Sequence, residues 1–182
     1  MARKEALIIS EDLFKSLSPV SGDLDWNYVW PTILAVQDKW IQPTLGQPLY
    51  EKLMTEIDAG SLAGDYKLLV EDYVARVCVW FTCYQGLPFW AIKVVNSGLI
   101  QRITDDGQPL DLNDVSKLAE QCRSQGEFYK QRLIDYLCAN SKLFTEYNST
   151  PSGELGHEST NYSGGLNLES YTNPTKKGGW YL

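Results

Sequence analysis

Residues 65–86 read "DYKLLVEDYVARVCVWFTCYQG". Tyr66, Leu69, Val70, Tyr73, Val74, Val77, Trp80, Phe81 and Tyr84 recur at the spacing of one helical face. From Cys78 to Tyr84 the stretch is apolar on nearly every side. Such a helix must be covered by other helices or by another subunit. The reading is therefore a mainly α fold around a central helix over about 65–86. Gly86 and Pro88 are expected to interrupt it, and "FWAIKVVNSG" (89–98) to add a further turn or two.

Working outward, a second helical pattern runs from about Asp25 to Ile41, with Ile33, Leu34, Gln37, Trp40 and Ile41 on one face. Pro31 lies inside it, so either two short helices meet there or one helix bends. "QPTLGQP" makes a corner in which Gly46 is free to adopt positive φ. "PLYEKLMTEIDAG" follows as a helix ending at Gly60.

A last long helix is expected from about Asn113 to Ser141. Val115, Cys122, Tyr129 and Tyr136 recur at heptad spacing, interleaved with Ala119, Gly126 and Leu133. Small residues at Ala119 and Gly126 let another helix approach closely, within this chain or from another. Between the two long helices, Asp106-Gly107 is a hairpin-turn dipeptide flanked by Ile100, Ile103, Leu110 and Leu112. A small β-hairpin over about 99–112 follows.

The ends differ from this helical body. Residues 1–25 read as an N-terminal arm: "ALIIS" is a short extended apolar run, and Ser10 caps a brief helix, "EDLFKSL". Residues 148–182 form a long irregular tail, where Gly, Ser, Thr, Asn and Pro supply 21 of 35 residues. Such a composition cannot bury enough apolar area to offset chain entropy. The tail nevertheless carries Trp180, Tyr181 and Leu182 behind Lys176, Lys177, Gly178 and Gly179. Each large apolar side chain there gains about 1.5–3 kcal/mol on burial. The glycines let the backbone lie close to a surface, and the lysines suit an acidic one. The tail is thus expected to take its order from its own body or from other chains. Leu7, Ile8 and Ile9 of the arm, Asp106 and Gly107 of the hairpin, and 176–182 of the tail are the candidate protein-interface residues.

With 182 residues, 43% of them hydrophobic, the chain can build one sizeable core. A formal charge of −7 argues against tight nucleic-acid binding, which needs clustered Lys and Arg. No apolar run reaches membrane-spanning length, and "MARKEALIIS" lacks a signal-peptide core, so synthesis in a cytoplasm is expected.

Chemistry-bearing patterns point away from catalysis. Cys78, Cys83, Cys122 and Cys138 form no C-x-x-C pair and read as ordinary thiols, and the single histidine, His157, lies in the tail. No Gly-rich phosphate loop or G-x-S-x-G elbow occurs. Glu51, Glu56, Asp58, Glu71, Asp72, Asp105 and Asp106 read as solvated carboxylates, although a carboxylate pair is recognised by geometry rather than by sequence. The expectation is a protein that is not an enzyme, with no cofactor, no metal and no catalytic residue.

Four stretches carry a resemblance: "ALIISEDLFKSLSPVSGDLDW" (6–26), "DKWIQPTLGQPLYEKL" (38–53), "NSGLIQRITDDGQPLDLNDV" (96–115) and "YKQRLIDYLCANSKLFTEY" (129–147). Together they resemble the head–tail connector (adaptor or ring) proteins of tailed phages, in the form found in crAss-like phages and their relatives. The resemblance covers about 7–147. It implies a structural virion protein, made in the bacterial host cytoplasm and placed at the head–tail junction. About twelve copies would form a ring beneath the portal protein, contact the next tail or ring protein, and extend the DNA channel without sequence-specific binding. Two other readings stay open: a helical interaction adaptor that captures a partner through its tail, and a small carboxylate-dependent hydrolase.

Overall fold

Four short signals punctuate the chain. Ser10 accepts the Leu13 amide on its hydroxyl at 3.3 Å and starts α1 (Glu11–Leu17). Asp25 accepts the Asn27 amide at 2.9 Å and starts α2 (Trp26–Val36). Gly46 sits at φ +76°, ψ 154°, a conformation open essentially to glycine alone, and turns the chain into α4 (Gln47–Asp58). Gly60, at φ +63°, closes α4: its amide bonds the Ile57 carbonyl and the Ser61 amide reaches Glu56. Those two bonds satisfy carbonyls that the helix end would otherwise leave open.

These elements belong to a computed structural model that describes residues 6–20, 24–95, 98–101, 111–149 and 156–157. Among them the fold is mainly α-helical. Pro31 sits on the exposed side of α2 and does not end it; a π-helical turn (Gln37–Ile41) and α3 (Gln42–Leu45) continue the rod. Near the proline, the Tyr28 carbonyl accepts the Trp90 indole N–H at 3.2 Å and the Thr32 hydroxyl at 3.4 Å.

The central rod comprises α5 (Gly64–Leu68), a second π-helical stretch (Leu69–Val74) and α6 (Ala75–Trp90). It runs through Gly86 and Pro88, where an interruption was expected. Pro88 lies in the last turn, so it removes a single ladder bond beside the end. Gly86 is there for space: a Cβ would run into the Trp90 indole folded over it.

A second correction follows. Ile92–Val95 and Gly98–Gln101 form the strands β1 and β2, antiparallel, with Ile92 opposite Gln101. Helical turns were expected over 92–95. "IKVV" is rich in β-branched side chains, which favour a pleated strand once the helix has stopped. The expected turn at Asp106-Gly107 lies outside the described residues. Leu112, expected as a strand flank, begins the long helix α7 (Leu112–Ala139), and α8 (Thr145–Asn148) follows.

One core joins these pieces. Phe81, Leu69, Val74 and Val77 of the rod meet Ile33 and Ile41, Leu45, Leu49, Leu53, Leu133, Leu137 and Phe144, all fully buried. Val115, Ala119, Cys122, Gly126 and Leu133 are buried along α7, as the heptad seam predicts, and α7 packs chiefly against α6 of the same chain. A Cβ on Gly126 would sit 3.2 Å from the Phe81 ring. The other side of that ring stacks on Trp40 at 4.8 Å.

Candidate interaction surface

The first interface candidates lie inward. Ile9 is fully buried and Ile8 nearly so, both in the chain's own core, with half-buried Leu7 packed against it. In this structure they are core residues rather than a free apolar edge. Gln37 explains why. Its Oε1 accepts the Ile8 amide at 2.9 Å, and its Nε2 donates to the Ala6 carbonyl at 3.2 Å and to the Tyr50 hydroxyl at 3.4 Å. One buried amide thus satisfies a backbone N–H and a backbone carbonyl of the N-terminal segment at once. Asp106, Gly107, Lys176, Lys177, Gly178, Gly179, Trp180, Tyr181 and Leu182 fall outside the described residues.

The described part of the tail touches the body at one point. The His157 imidazole stacks on Tyr147 with centroids 4.1 Å apart. The backbone nitrogen of His157 lies where a Cβ on Gly46 would come within 2.9 Å. The absent side chain at Gly46 therefore serves two ends, the turn into α4 and a seat for residues 156–157. Burial pushes the Tyr147 hydroxyl up to about 12, with Cys138 adding to the shift.

A polar clasp ties the C-terminal end of the body to α4. Glu146 takes Lys52 Nζ at 2.7 Å on one oxygen and the Tyr66 hydroxyl at 2.8 Å on the other. Lys52 also lies 3.9 Å above the Tyr66 ring. Burial opposes ionisation of Glu146, but the hydrogen bonds it accepts outweigh that and hold its carboxyl below the usual range. The Glu146 hydrogen bond is the largest influence on Lys52 and raises it.

The third feature is a strip along the α6–α7 contact. Tyr73 stacks on Tyr136 at 4.1 Å and Trp80 on Tyr129 at 6.5 Å. Between these two stacks lie two guanidinium groups: Arg132 is 5.5 Å from the Tyr73 ring centre and Arg76 is 5.9 Å from that of Tyr129. Arg76 Nε donates to the Asp72 carbonyl at 3.1 Å. Among the described residues neither arginine forms an ion pair with a carboxylate, and neither do Asp65 and Asp72 at the strip's other end. Tyr136 reports their nearness: burial first, then Tyr73, then the charges of Asp65 and Asp72 push its hydroxyl up. Leu68, between Asp65 and Asp72 in the chain, and Phe128, beside Tyr129, are exposed. Sequence reading missed this strip. Its signal was present, because Arg76 follows Tyr73 and precedes Trp80 by three and four residues, as Arg132 does between Tyr129 and Tyr136.

The other chemistry-bearing groups are dispersed. Glu51 accepts from Gln47, and Glu71 pairs loosely with Lys67 at 3.7 Å, both on exposed helix faces. Cys78, Cys83 and Cys122 are buried and Cys138 is exposed. Burial pushes the Cys78 and Cys83 thiols up to about 12. Among the described residues no three His, Cys, Asp or Glu side chains converge as metal ligands, and no helix is long and apolar enough to cross a membrane.

The architecture defines an α-helical protein with a short arm folded onto its own core and an aromatic–arginine strip on its surface. The chain belongs to a family of unknown function, DUF6712, which it matches over residues 41–155. No curated protein and no solved structure matches it.

Proposed function

We propose that this chain is a structural virion protein, a subunit of a ring between the portal and the tail of a phage that extends the DNA channel and docks the tail. The observation that carries the reading is the amount of large apolar surface left outside a well-filled core. Phe89 is 72% exposed, Phe128 60% and Trp30 40%. Such groups anchor interfaces when they cluster with a partner's. The likeness of 7–147 to phage connector proteins supplies which assembly is meant.

Charge fits the role. A lumen lined with cations would hold DNA by salt-sensitive ion pairing, whereas an acidic chain of net charge −7 lets it slide. A ring subunit must also bury two lateral faces, which suits an aromatic-rich surface. The tail, seated on the body at His157, leaves 25 residues beyond that point, enough to extend about 80 Å when stretched. Its aromatic end can therefore lie on a neighbouring subunit or on the next layer.

The test removes 172–182 from the full chain. The body's circular dichroism and melting are expected to stay as in the parent while ring formation or portal binding weakens. Loss of the body fold would place the tail's contacts within its own subunit. A stable monomer that binds a single partner through 172–182 would favour the adaptor reading.

A further inference from the structure

The α6–α7 strip is polar along its length in a way that matches itself reversed. Tyr73 on Tyr136 marks one level and Trp80 on Tyr129 the next. Arg76 and Arg132 fall between these levels, while Asp65 and Asp72 lie on the far side of Tyr73. A guanidinium laid over an aromatic ring keeps its N–H edge outward and is already oriented for a carboxylate. None of the four charges has an ion-pair partner among the described residues.

We infer that this strip is a self-complementary docking surface whose occupant is a second copy of the chain, with Arg76 and Arg132 of one copy set against Asp65 and Asp72 of the other. A two-fold axis near the Tyr73–Tyr136 stack produces that arrangement, since it carries each copy's arginine end onto the other's aspartate end. Leu68, between the two aspartates in the chain, and Phe128, beside Tyr129, are 43% and 60% exposed and supply apolar contact. The occupant is chosen by charge. A nucleic acid would meet the two aspartates as well as the arginines, and a cationic peptide the reverse; only a surface with both signs in opposite order satisfies all four. A two-fold contact closes on itself and does not propagate, so it is distinct from the head-to-tail contacts of a ring and does not depend on them.

The experiment is sedimentation velocity of the full chain at low salt, with two charge-reversed variants, Arg76→Glu/Arg132→Glu and Asp65→Lys/Asp72→Lys. The parent is expected to dimerise, and to do so less as salt rises from about 0.05 to about 0.5 M, because the screening length shortens several-fold. Each variant alone is expected to dimerise at least about tenfold more weakly, since like charges then face each other. An equimolar mixture of the two is expected to recover dimer at or above the parent level, which also shows that both variants are folded. A parent that remains monomeric at low salt overturns the inference, as do variants that associate like the parent or a mixture that recovers nothing. Larger particles whose mass is unchanged by both reversals would contradict this contact and leave the ring reading standing. A dimer lost on reversal, with no larger particle at any concentration, would do the opposite.

Discussion

The Phe81 ring is held between Trp40 on one side and the bare backbone of Gly126 on the other, 4.8 Å from the first by centroid and 3.2 Å from where the second would carry a Cβ. α6 and α7 approach as closely as they do because position 126 has no side chain.

Substitution at this position is the most direct probe of the core. Gly126→Ala gains up to about 1 kcal/mol of helix propensity but forces the ring toward Trp40, so the net change is expected within about 1 kcal/mol of zero. Gly126→Glu brings an unpaired carboxylate against Phe81 and is expected to destabilise by about 3 kcal/mol or more. Urea denaturation of the two variants checks this. A Gly126→Glu protein as stable as the parent would contradict the assigned buried face.

Gln37 holds the N-terminal segment through its side-chain amide. Gln37→Leu keeps much of the volume and leaves the Ile8 N–H and Ala6 carbonyl without their partner, at an expected cost of about 1–3 kcal/mol. Hydrogen exchange separates this from a general loss of stability. The Ile8 amide is expected to lose protection before amides in the middle of α6 do.

Acid should loosen the Glu146 clasp. Because the folded-state pKa of Glu146 lies below the unfolded one, its contribution is present above the usual glutamate pKa and is lost as pH falls through the depressed value. The clasp is partly exposed, with side-chain exposures of 32% for Lys52 and 26% for Glu146, so its worth is about 1 kcal/mol or less. Stability of the parent is expected to fall between about pH 5 and pH 3 by more than that of Glu146→Gln, whose amide does not titrate there. Parallel pH curves for the two proteins would remove the clasp from the account.

Thiol chemistry follows burial. Cys78, Cys83 and Cys122 lie within the helix contacts, where desolvation pushes all three thiols up, whereas Cys138 is exposed on α7. A disulfide reagent at pH 8 is expected to modify one cysteine per native chain quickly and all four only after unfolding. Ser18, at the end of α1, places its hydroxyl 3.3 Å from the Cys83 sulfur, and fast modification of Cys83 in the native protein would show that this end does not cover it.

The seat of the tail separates two roles of one glycine. Gly46→Ala strains a backbone conformation reserved for glycine and crowds His157, with an expected loss of about 1–3 kcal/mol. His157→Ala removes only the stack on Tyr147, worth about 0.5–1.5 kcal/mol. Thermal melts should rank the two in that order, and the His157 variant should raise exchange at the amides of 156–157 without touching α4.

Much of the fold was legible because the helices carry their own instructions. The 65–86 periodicity, the Ser10 cap, the helix start near Asp25 and the glycines at 46 and 60 are local signals, and the structure uses each of them. What the sequence concealed was competition between neighbours. Pro88 looked like a break, but a proline this near a helix end removes little, and the Trp90 indole over Gly86 holds the last turn together. Ile8 and Ile9 looked like a reaching arm because their apolar character is readable while the Gln37 amide that draws them inward stands 29 positions away from Ile8. The arginine strip went unseen for a related reason. Its charges are ordinary on each helix alone and form a pattern only when α6 and α7 lie side by side.

The central claim, that this chain is a building block of a closed ring, is tested most directly by the native mass of the purified full-length protein, alone and with a portal protein. The account predicts a closed multiple of the 20.6 kDa chain, about twelve copies to each ring, formed alone or on the portal. A mass that stays at one or two chains under both conditions would contradict it.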